Sequence, residues 1–264
     1  MGIRASYADG QFCRVDLMSR NLSEAKQFYT SLFGWQAIDQ DTQGGPPYTI
    51  FTLAERQLCG LGQMSDEMQA SGMPPVWNSY VSVDDLEKTL ARAEQLGATV
   101  TMPAMQVVDA GKMAVIQDPT GAFVSFWEKI NHWGAAHVND PNTWVWNELL
   151  CNNPNSAISF YSQLFEWRFE KEQSDSPNDY WLFENDQLRN GGLMQITEDM
   201  QGCPPNWSVY FAVSEIDRAT DGVQRFGGQV LNGPFEVSVG QIAVVTDPQG
   251  AAFQLIQLSV PPDD

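Results

Sequence analysis

The sequence predicts an α+β fold made of four strand–helix–strand–strand–strand (βαβββ) modules, arranged as two tandem domains. Two observations predict it: an internal repeat of about 130 residues, and an alternation of strand-like and helix-like hydrophobic patterns inside each copy. The length agrees, because 264 residues, 43% of them hydrophobic, are enough for two domains with cores of their own.

The internal repeat consists of three motifs that recur in the same order, about 130 residues apart. The first, FYTSLFGW, returns as FYSQLFEW, with five of the eight positions identical. The paired segments are residues 28–35 and 160–167, residues 74–77 and 204–207, and residues 118–122 and 247–251. A period of this length is that of a whole domain. We therefore predict a first domain at residues 1–130, a linker at residues 131–142 and a second domain at residues 143–264.

Each copy begins with a strand followed by a helix. Residues 12–19 predict the first strand of copy one. Asn21 then takes the N-cap position with Glu24 three residues later, and Gly34 ends the helix. Copy two repeats this pattern with Asn153 as the cap. Pro154 follows at the first helical position, where the missing N–H of proline costs nothing.

A second helix in each copy follows the strand residues 80–83 and 210–213. In copy one we predict Asp84 as its N-cap and Gly97 as the glycine that ends it. In copy two the corresponding residues are Ser214 and Gly227. Short β-rich stretches separated by turn residues follow every helix, for example residues 49–53, 113–117 and 123–127. Each domain is therefore predicted as strand, helix and three strands, and then the same again.

Composition excludes several classes of partner. With 33 Asp and Glu against 14 Lys and Arg, the formal net charge is −19, so we expect no nucleic-acid partner and no membrane partner. No window approaches the roughly 18 apolar residues of a membrane span, and the first residues lack the apolar segment of a secretory signal, so we expect a cytoplasmic location. The four widely spaced cysteines predict reduced, mostly buried thiols.

Four such modules, with an F-Y-x-x-L-F-x-W helix end and a D-P-x-G-A turn in each copy, resemble the vicinal oxygen chelate superfamily. That group includes glyoxalase I, bleomycin-resistance proteins, fosfomycin-modifying enzymes and extradiol dioxygenases. The resemblance covers about residues 11–258 and implies that the modules pair into two tandem half-barrel domains, each around one cleft. In metal-dependent members it also implies one divalent ion, held by side chains of the first and last strands, that polarises vicinal oxygens of the substrate.

The ligand positions implied by this resemblance hold no imidazole and no carboxylate. They are Arg14, Asn78 and Ser125 in copy one, and Trp146, Ser208 and Gln254 in copy two. Arginine has no lone pair for a cation, and tryptophan offers only an N–H donor. The two histidines, His132 and His137, lie in the linker, and we expect them outside the clefts. We therefore predict no cofactor and no metal site, with a divalent metal left open only through Glu148 and Gln254.

Two acidic residues occupy matching places in the copies. Asp16 and Glu148 lie two residues beyond Arg14 and Trp146, so strand alternation puts them on the same face as these residues. Arg14 and Asp16 either pair with each other or contact a ligand. Glu148 has no such neighbour and is the candidate catalytic residue. It either receives a cationic ligand or acts as a general base with a pKa raised by apolar walls.

The remaining cleft positions are mostly aromatic or amide-bearing, which suits a planar molecule that is stacked and oriented by a few polar groups. The predicted ligand-binding residues are Arg14, Asp16, Asn78, Tyr80, Ser125 and Trp127 in copy one, and Trp146, Ser208, Tyr210 and Gln254 in copy two. Core packing is the alternative for each tyrosine and tryptophan. We assign Trp35 and Trp167 to packing and the D-P-x-G segments to turns.

Three functional hypotheses follow from these observations. The leading one is a metal-independent protein that binds a small aromatic or cationic molecule in one or both clefts. The enzymatic alternative is a glyoxalase-like lyase or dioxygenase that holds a divalent metal through unusual ligands such as Glu148. The third is a scaffold in which neither cleft is used. The sequence leaves open whether the protein is an enzyme, and whether it is a monomer or a homodimer.

Overall fold

The computed structural model describes residues 2–42, 44–173, 179–200 and 202–260. Domain 1 contains β1 (Phe12–Ser19), α1 (Leu22–Phe33), β2 (Gln36–Gln40), β3 (Tyr48–Leu53), β4 (Arg56–Gln63), α2 (Asp66–Ala70), β5 (Val76–Ser82), α3 (Leu86–Gln95), β6 (Thr99–Val107), β7 (Gly111–Gln117) and β8 (Phe123–Lys129). Domain 2 contains β9 (Trp144–Cys151), α4 (Pro154–Phe165), β10 (Arg168–Lys171), β11 (Tyr180–Asn185), β12 (Leu188–Gln195), a 3-10 helix (Glu198–Met200), β13 (Asn206–Ala212), α5 (Ile216–Arg225), β14 (Gln229–Val237), β15 (Gly240–Thr246) and β16 (Ala252–Leu258).

The described strands of each domain form one eight-stranded mixed sheet. The strand orders are β2-β3-β4-β1-β5-β8-β7-β6 and β10-β11-β12-β9-β13-β16-β15-β14. The first strands of the two modules pair antiparallel at the centre of the sheet, and each pairs in parallel with the last strand of its own module. The predicted α+β fold, with four βαβββ modules in two tandem domains, is confirmed.

The first helix of each copy begins and ends where its sequence predicts. The Asn21 side chain accepts the N–H groups of Ser23 and Glu24, and Gly34 ends α1 in the left-handed conformation with φ of 71°. The backbone N–H of Asn21 donates to Oε1 of Gln249 in domain 2, at 2.9 Å. A residue of the other domain thus occupies the place that a capping box would give to the Glu24 carboxylate.

The caps of the second helices differ from the prediction by one residue. Asp85, not Asp84, caps α3 and accepts the N–H of Lys88 at 3.0 Å. Glu215, not Ser214, is the N-cap residue of α5, and it makes no side-chain cap bond. The sequence pattern does not distinguish between two adjacent polar residues as the N-cap. The end of the preceding strand decides at which of them the helix begins.

The apolar stripe of the repeated motif lies in a core that both domains share. Phe33 and Trp35 of domain 1 contact Phe211 of domain 2, with ring centroids 5.3 and 5.4 Å apart. Phe165 of domain 2 contacts Phe126 of domain 1 in the same way, at 5.5 Å. Both tryptophans of the motif are buried, which confirms their assignment to packing. The stripe therefore also docks the two domains on each other.

Two hydrogen-bonded chains cross the domain interface, and we call them the cross-domain chains. In each, an indole N–H donates to a tyrosine hydroxyl, and the hydroxyl donates to the aspartate of the other domain's D-P-x-G turn. They are Trp77–Tyr29–Asp247, with distances of 3.1 and 3.3 Å, and Trp207–Tyr161–Asp118, with distances of 3.0 and 2.8 Å. The two repeated motifs thus meet each other across the interface.

The linker at residues 131–142 packs on domain 1. The N–H groups of Ala135 and Ala136 donate to the carbonyls of Cys13 in β1 and Gln57 in β4, both at 2.8 Å. Gly134 lies so close to β1 that an added Cβ would stand 2.2 Å from the Cys13 carbonyl oxygen. The linker therefore inserts between the starts of β1 and β4 and covers that end of the sheet.

Two predictions about the chain as a whole concern its cysteines and its hydropathy. Cys13, Cys59 and Cys151 are buried free thiols and Cys203 is half-buried, as predicted. In the described ranges, no helix is both long enough and apolar enough to cross a lipid bilayer.

Candidate functional site

The predicted site residues lie on one face of each sheet, opposite the shared core. Along β1, Val15 and Leu17 belong to the shared core, and Arg14 and Asp16 alternate with them. We call these faces the cleft faces. That of domain 1 carries Arg14, Asp16, Asn78, Tyr80, Ser125 and Trp127, and that of domain 2 carries Trp146, Glu148, Ser208, Tyr210 and Gln254. The structure thus brings the candidates together as two sets.

Asp16 is the centre of a closed hydrogen-bond network on domain 1. Its Oδ2 accepts the hydroxyls of Tyr48 and Tyr80 at 2.8 and 3.0 Å, and its Oδ1 accepts Nδ2 of Asn78 at 3.0 Å. Nη2 of Arg14 lies 3.4 Å from Oδ2 and completes a buried ion pair. Asp16 is 3% exposed, so protein groups rather than water compensate its charge.

The Arg14 guanidinium fills the space in front of this network. Its Cζ lies 4.8 Å from the ring centroid of Tyr80 and 4.6 Å from that of Trp127, and Nη2 contacts the Tyr48 hydroxyl. Burial raises the pKa of Tyr80 well above its usual value and Asp16 raises it further, so this hydroxyl stays protonated and donates. Of the two interpretations of Arg14 and Asp16, the structure shows the ion pair.

The expectation that both linker histidines lie outside the clefts is wrong for His132. Its ring packs edge-on against Trp127 at 6.0 Å, and its carbonyl accepts the Trp127 indole N–H at 2.7 Å. Burial, together with nearby Arg14, lowers the pKa of His132 to about 4. A cavity with room for about one water molecule lies between Arg14, His132 and the linker. His137 is locally bonded to Asp140 at 2.7 Å, as expected.

Glu148 takes the place of Asp16 on domain 2. Its Oε1 accepts the Tyr210 hydroxyl at 2.9 Å, and the Tyr180 hydroxyl lies near enough to its carboxylate to lower its pKa. Burial raises the pKa of Glu148, which is 5% exposed, and the two tyrosine hydroxyls oppose that shift only in part. Within the described part of the chain, no Lys, Arg or His nitrogen forms an ion pair with Glu148.

Gln254 supplies a second acceptor that has no partner. It is 8% exposed and pairs with Tyr210 across the parallel strands β13 and β16. Its Oε1 is buried and has no hydrogen-bond partner among the described residues. An unpaired buried carbonyl costs about 1–3 kcal/mol. The cleft face of domain 2 therefore buries two acceptor groups, the Glu148 carboxylate without a cationic partner and the Gln254 oxygen without a donor, among the described residues.

The first-strand positions implied as metal ligands do not fit a divalent cation in either domain. On domain 1, a guanidinium stands at the first position and its partner acid, Asp16, is already bonded to four groups. On domain 2, the Trp146 indole stands at the first position and donates its N–H to the Tyr180 hydroxyl at 3.2 Å. The described residues contain no group of three His, Cys, Asp or Glu side chains arranged to hold a metal ion.

The sequence reasoning missed two tyrosines and two glycines that shape the cleft faces. Tyr48 donates its hydroxyl to Asp16, and the Tyr180 hydroxyl lies near Glu148. Gly60 and Gly192 make room for them, because an added Cβ would stand 1.8 and 1.9 Å from the respective hydroxyl oxygens. Both pairs recur at the spacing of the repeat, about 130 residues. Aligning the two copies position by position would have found them.

The two halves match known family descriptions separately. Residues 11–126 match the Glyoxalase/Bleomycin resistance protein/Dioxygenase superfamily, and residues 144–256 match a glyoxalase-like domain. The chain is 38% identical over 256 residues to "Putative glyoxylase CFP32" of Mycobacterium tuberculosis, covering 96% of this chain and 97% of that protein. It is 28% identical over 263 residues to "Anthracycline biosynthesis protein DnrV" of Streptomyces peucetius, covering 96% of this chain and 94% of the relative.

Solved structures share the fold at low sequence identity. The 2,3-dioxygenase LapB from Pseudomonas sp. KL28 aligns with a TM-score of 0.66 and 17% identity, covering 97% of this chain and 96% of that one. The Mn(II)-bound glyoxalase from Novosphingobium aromaticivorans aligns with a TM-score of 0.64 and 12% identity, covering 96% of this chain and 86% of that one. These likenesses concern the fold alone.

Proposed function

The chain belongs to the glyoxalase/bleomycin resistance protein/dioxygenase superfamily, and we propose that it binds a small molecule on the cleft face of domain 2. The ligand carries an aromatic or a cationic group, and its binding needs no metal ion. In this proposal the cleft face of domain 1 supports the structure, because its candidate residues are bonded to one another.

A difference between the two cleft faces carries the proposal. On domain 1 the acid has four partners, and the guanidinium and the linker fill the space in front of it. Among the described residues, the acid of domain 2 accepts the Tyr210 hydroxyl and has the Tyr180 hydroxyl nearby, and the neighbouring Gln254 oxygen has no partner. Buried polar groups left open in this way are typical of a site that a ligand completes.

The walls of this face suit a planar ligand. The partly exposed Trp146 and Tyr180 stand beside the buried Tyr210. Aromatic rings bind planar molecules by stacking, and cations by their negative faces. The name of the relative from Streptomyces peucetius refers to anthracycline biosynthesis.

The test is a binding titration with matched variants of the two domains. We expect small aromatic and cationic compounds to quench tryptophan fluorescence saturably, with one site per chain. Tyr210→Phe removes the hydroxyl that bonds to Glu148 and helps to keep this acid ionised, so we expect the variant to bind a cationic compound more weakly than the wild type. Tyr80→Phe removes the matching hydroxyl in domain 1. The proposal fails if no compound binds, or if only Tyr80→Phe changes the affinity.

One observation favours the enzymatic alternative as a second candidate. Glu148 and Gln254 offer oxygen atoms, which are ligands for a hard divalent cation. A glyoxalase-like lyase or dioxygenase would hold such an ion there. Elemental analysis of protein purified without chelator tests this alternative. One tightly bound metal ion per chain that is lost in Glu148→Ala would replace the proposal with the alternative.

A further inference from the structure

We propose that the ligand of domain 2 presents a protonated nitrogen, an amidinium, guanidinium or primary ammonium group, to Glu148, and that Arg14 of domain 1 is its built-in counterpart. This inference rests on the function proposed above and names the chemical class of the ligand.

The two cleft faces hold the same acid receptor. In domain 1 the hydroxyls of Tyr48 and Tyr80 bond to Asp16; in domain 2 the hydroxyl of Tyr210 bonds to Glu148, and that of Tyr180 lies near its carboxylate. A glycine at the matching place of β4 and β12 makes room for the first tyrosine of each pair. Each copy therefore builds a carboxylate that is oriented by two tyrosines.

In domain 1 a cationic side chain completes the surroundings of the acid. The Arg14 guanidinium lies 3.4 Å from the Asp16 carboxylate and against the rings of Tyr80 and Trp127, at 4.8 and 4.6 Å. A buried carboxylate is stable only when a counter-charge or several donors compensate the loss of water. Here the Arg14 guanidinium supplies the counter-charge, and Tyr48, Tyr80 and Asn78 supply the other donors.

Domain 2 keeps the receptor and lacks the cation. Trp146 stands where domain 1 has Arg14, and its indole N–H donates to Tyr180, as Nη2 of Arg14 does to Tyr48. The indole replaces that donor without supplying a positive charge. Glu148 is then a buried acid with no cationic partner among the described residues. Such a site stabilises a cation that arrives with a ligand.

Gln254 indicates that the ligand group has more than one N–H. Gln254 stands beside Tyr210 in the sheet, and Tyr210 bonds to Glu148. A planar amidinium or guanidinium can donate to the carboxylate with one N–H and to the open Gln254 oxygen with another. Charge acts in the same direction at long range, because a net charge of −19 attracts cations and repels anions.

The first experiment uses three probes of nearly the same shape and different charge. Benzamidine is a cation at pH 7.5, benzamide is neutral and benzoate is an anion. In calorimetric titrations we expect benzamidine to bind at one site per chain, at least tenfold more tightly than benzamide, and benzoate not to bind. Glu148→Gln should remove the preference for benzamidine.

The second experiment needs no ligand. Trp146→Arg places a guanidinium where domain 1 has its own, and Trp146→Met is the uncharged control of similar length. Carboxyl NMR titration should show a lower pKa for Glu148 in Trp146→Arg than in Trp146→Met, and Trp146→Arg should no longer bind benzamidine.

The outcomes separate this inference from the proposed function. Equal affinities for benzamidine and benzamide, or an equal pKa of Glu148 in the two Trp146 variants, would overturn the inference. The first of these results leaves the proposed function standing, since binding itself persists. A failure of every aromatic and cationic compound to bind would overturn both.

Discussion

Each domain buries one acid on its cleft face, and the two acids have different electrostatic surroundings. Asp16 is bonded to an arginine, an asparagine and two tyrosines, whereas Glu148, among the described residues, is bonded to Tyr210 and has the Tyr180 hydroxyl nearby. Both are almost fully buried. The difference arises from two replacements between the copies, Arg14 by Trp146 and Asn78 by Ser208.

The raised pKa of Glu148 predicts a pH dependence of stability. The folded protein holds the Glu148 proton more tightly than the unfolded chain does, so the contribution of this group falls as the pH rises from its ordinary pKa of 4.5 through the raised one. We expect Glu148→Gln to lose less stability than the wild type between pH 4.5 and pH 8. Urea unfolding at both values measures this. Parallel pH profiles for the two proteins would contradict it.

His132 predicts acid sensitivity of the opposite sign. Its pKa falls from 6.5 to about 4 on folding, so its contribution is full above pH 6.5 and is lost as the pH falls towards 4. At about 1.4 kcal/mol per pKa unit, the loss reaches roughly 3 kcal/mol. We expect the thermal unfolding midpoint of His132→Gln to change less between pH 6.5 and pH 4 than that of the wild type. A wild-type slope retained in the variant would show that other groups cause the acid sensitivity.

At the scale of the elements, one glycine in β4 and one in β12 make room for a tyrosine side chain of the neighbouring strand. Gly60→Ala would drive a Cβ to 1.8 Å from the Tyr48 hydroxyl, and Gly192→Ala one to 1.9 Å from that of Tyr180. We predict that Gly60→Ala lowers the free energy of unfolding by about 1–3 kcal/mol, because it displaces a donor of the buried ion pair. Denaturant unfolding measures the loss.

Gly192→Ala is the matched change in domain 2, and its main effect should be on ligand binding. Displacing Tyr180 removes one of the two hydroxyls that orient Glu148. We predict weaker binding of the compounds found in the titration, with Gly60→Ala as the control for a purely structural effect. Equal binding by both variants and the wild type would contradict this assignment.

The order and type of the elements could be predicted from sequence, because the repeat doubles every signal. Residues 12–19 form β1 as predicted, and the Asn21, Gly34 and Asn153 caps were identified from the pattern alone. The cleft residues could also be placed on one face, because strand alternation is strict. What local pattern cannot give is contact across domains. It missed Gln249 at the start of α1, which comes from the other domain, and it missed His132 beside Trp127, because the path of the linker back over the sheet is not a local pattern.

At the scale of the whole molecule, the cross-domain chains and the shared core make the two domains one unit. We predict that Tyr161→Phe lowers the free energy of unfolding by about 1–3 kcal/mol, because Asp118 and the Trp207 indole each lose a buried partner. We expect a smaller loss for Tyr29→Phe, whose bond to Asp247 is longer, at 3.3 Å. Differential scanning calorimetry should show one cooperative transition in each variant. Two separated transitions would contradict a shared core.

The difference between Arg14 and Trp146 has a consequence for how such a molecule can diverge. Two identical subunits that associate must carry the same residue at both equivalent places. Joining the copies in one polypeptide removes that constraint, and the tether keeps the halves at a high effective concentration. Under the proposed function, one half can then give up its cleft to internal pairing while the other keeps its acid for a ligand. In a fused chain the two cleft faces can therefore have different roles, which they cannot have in a symmetric assembly of identical subunits.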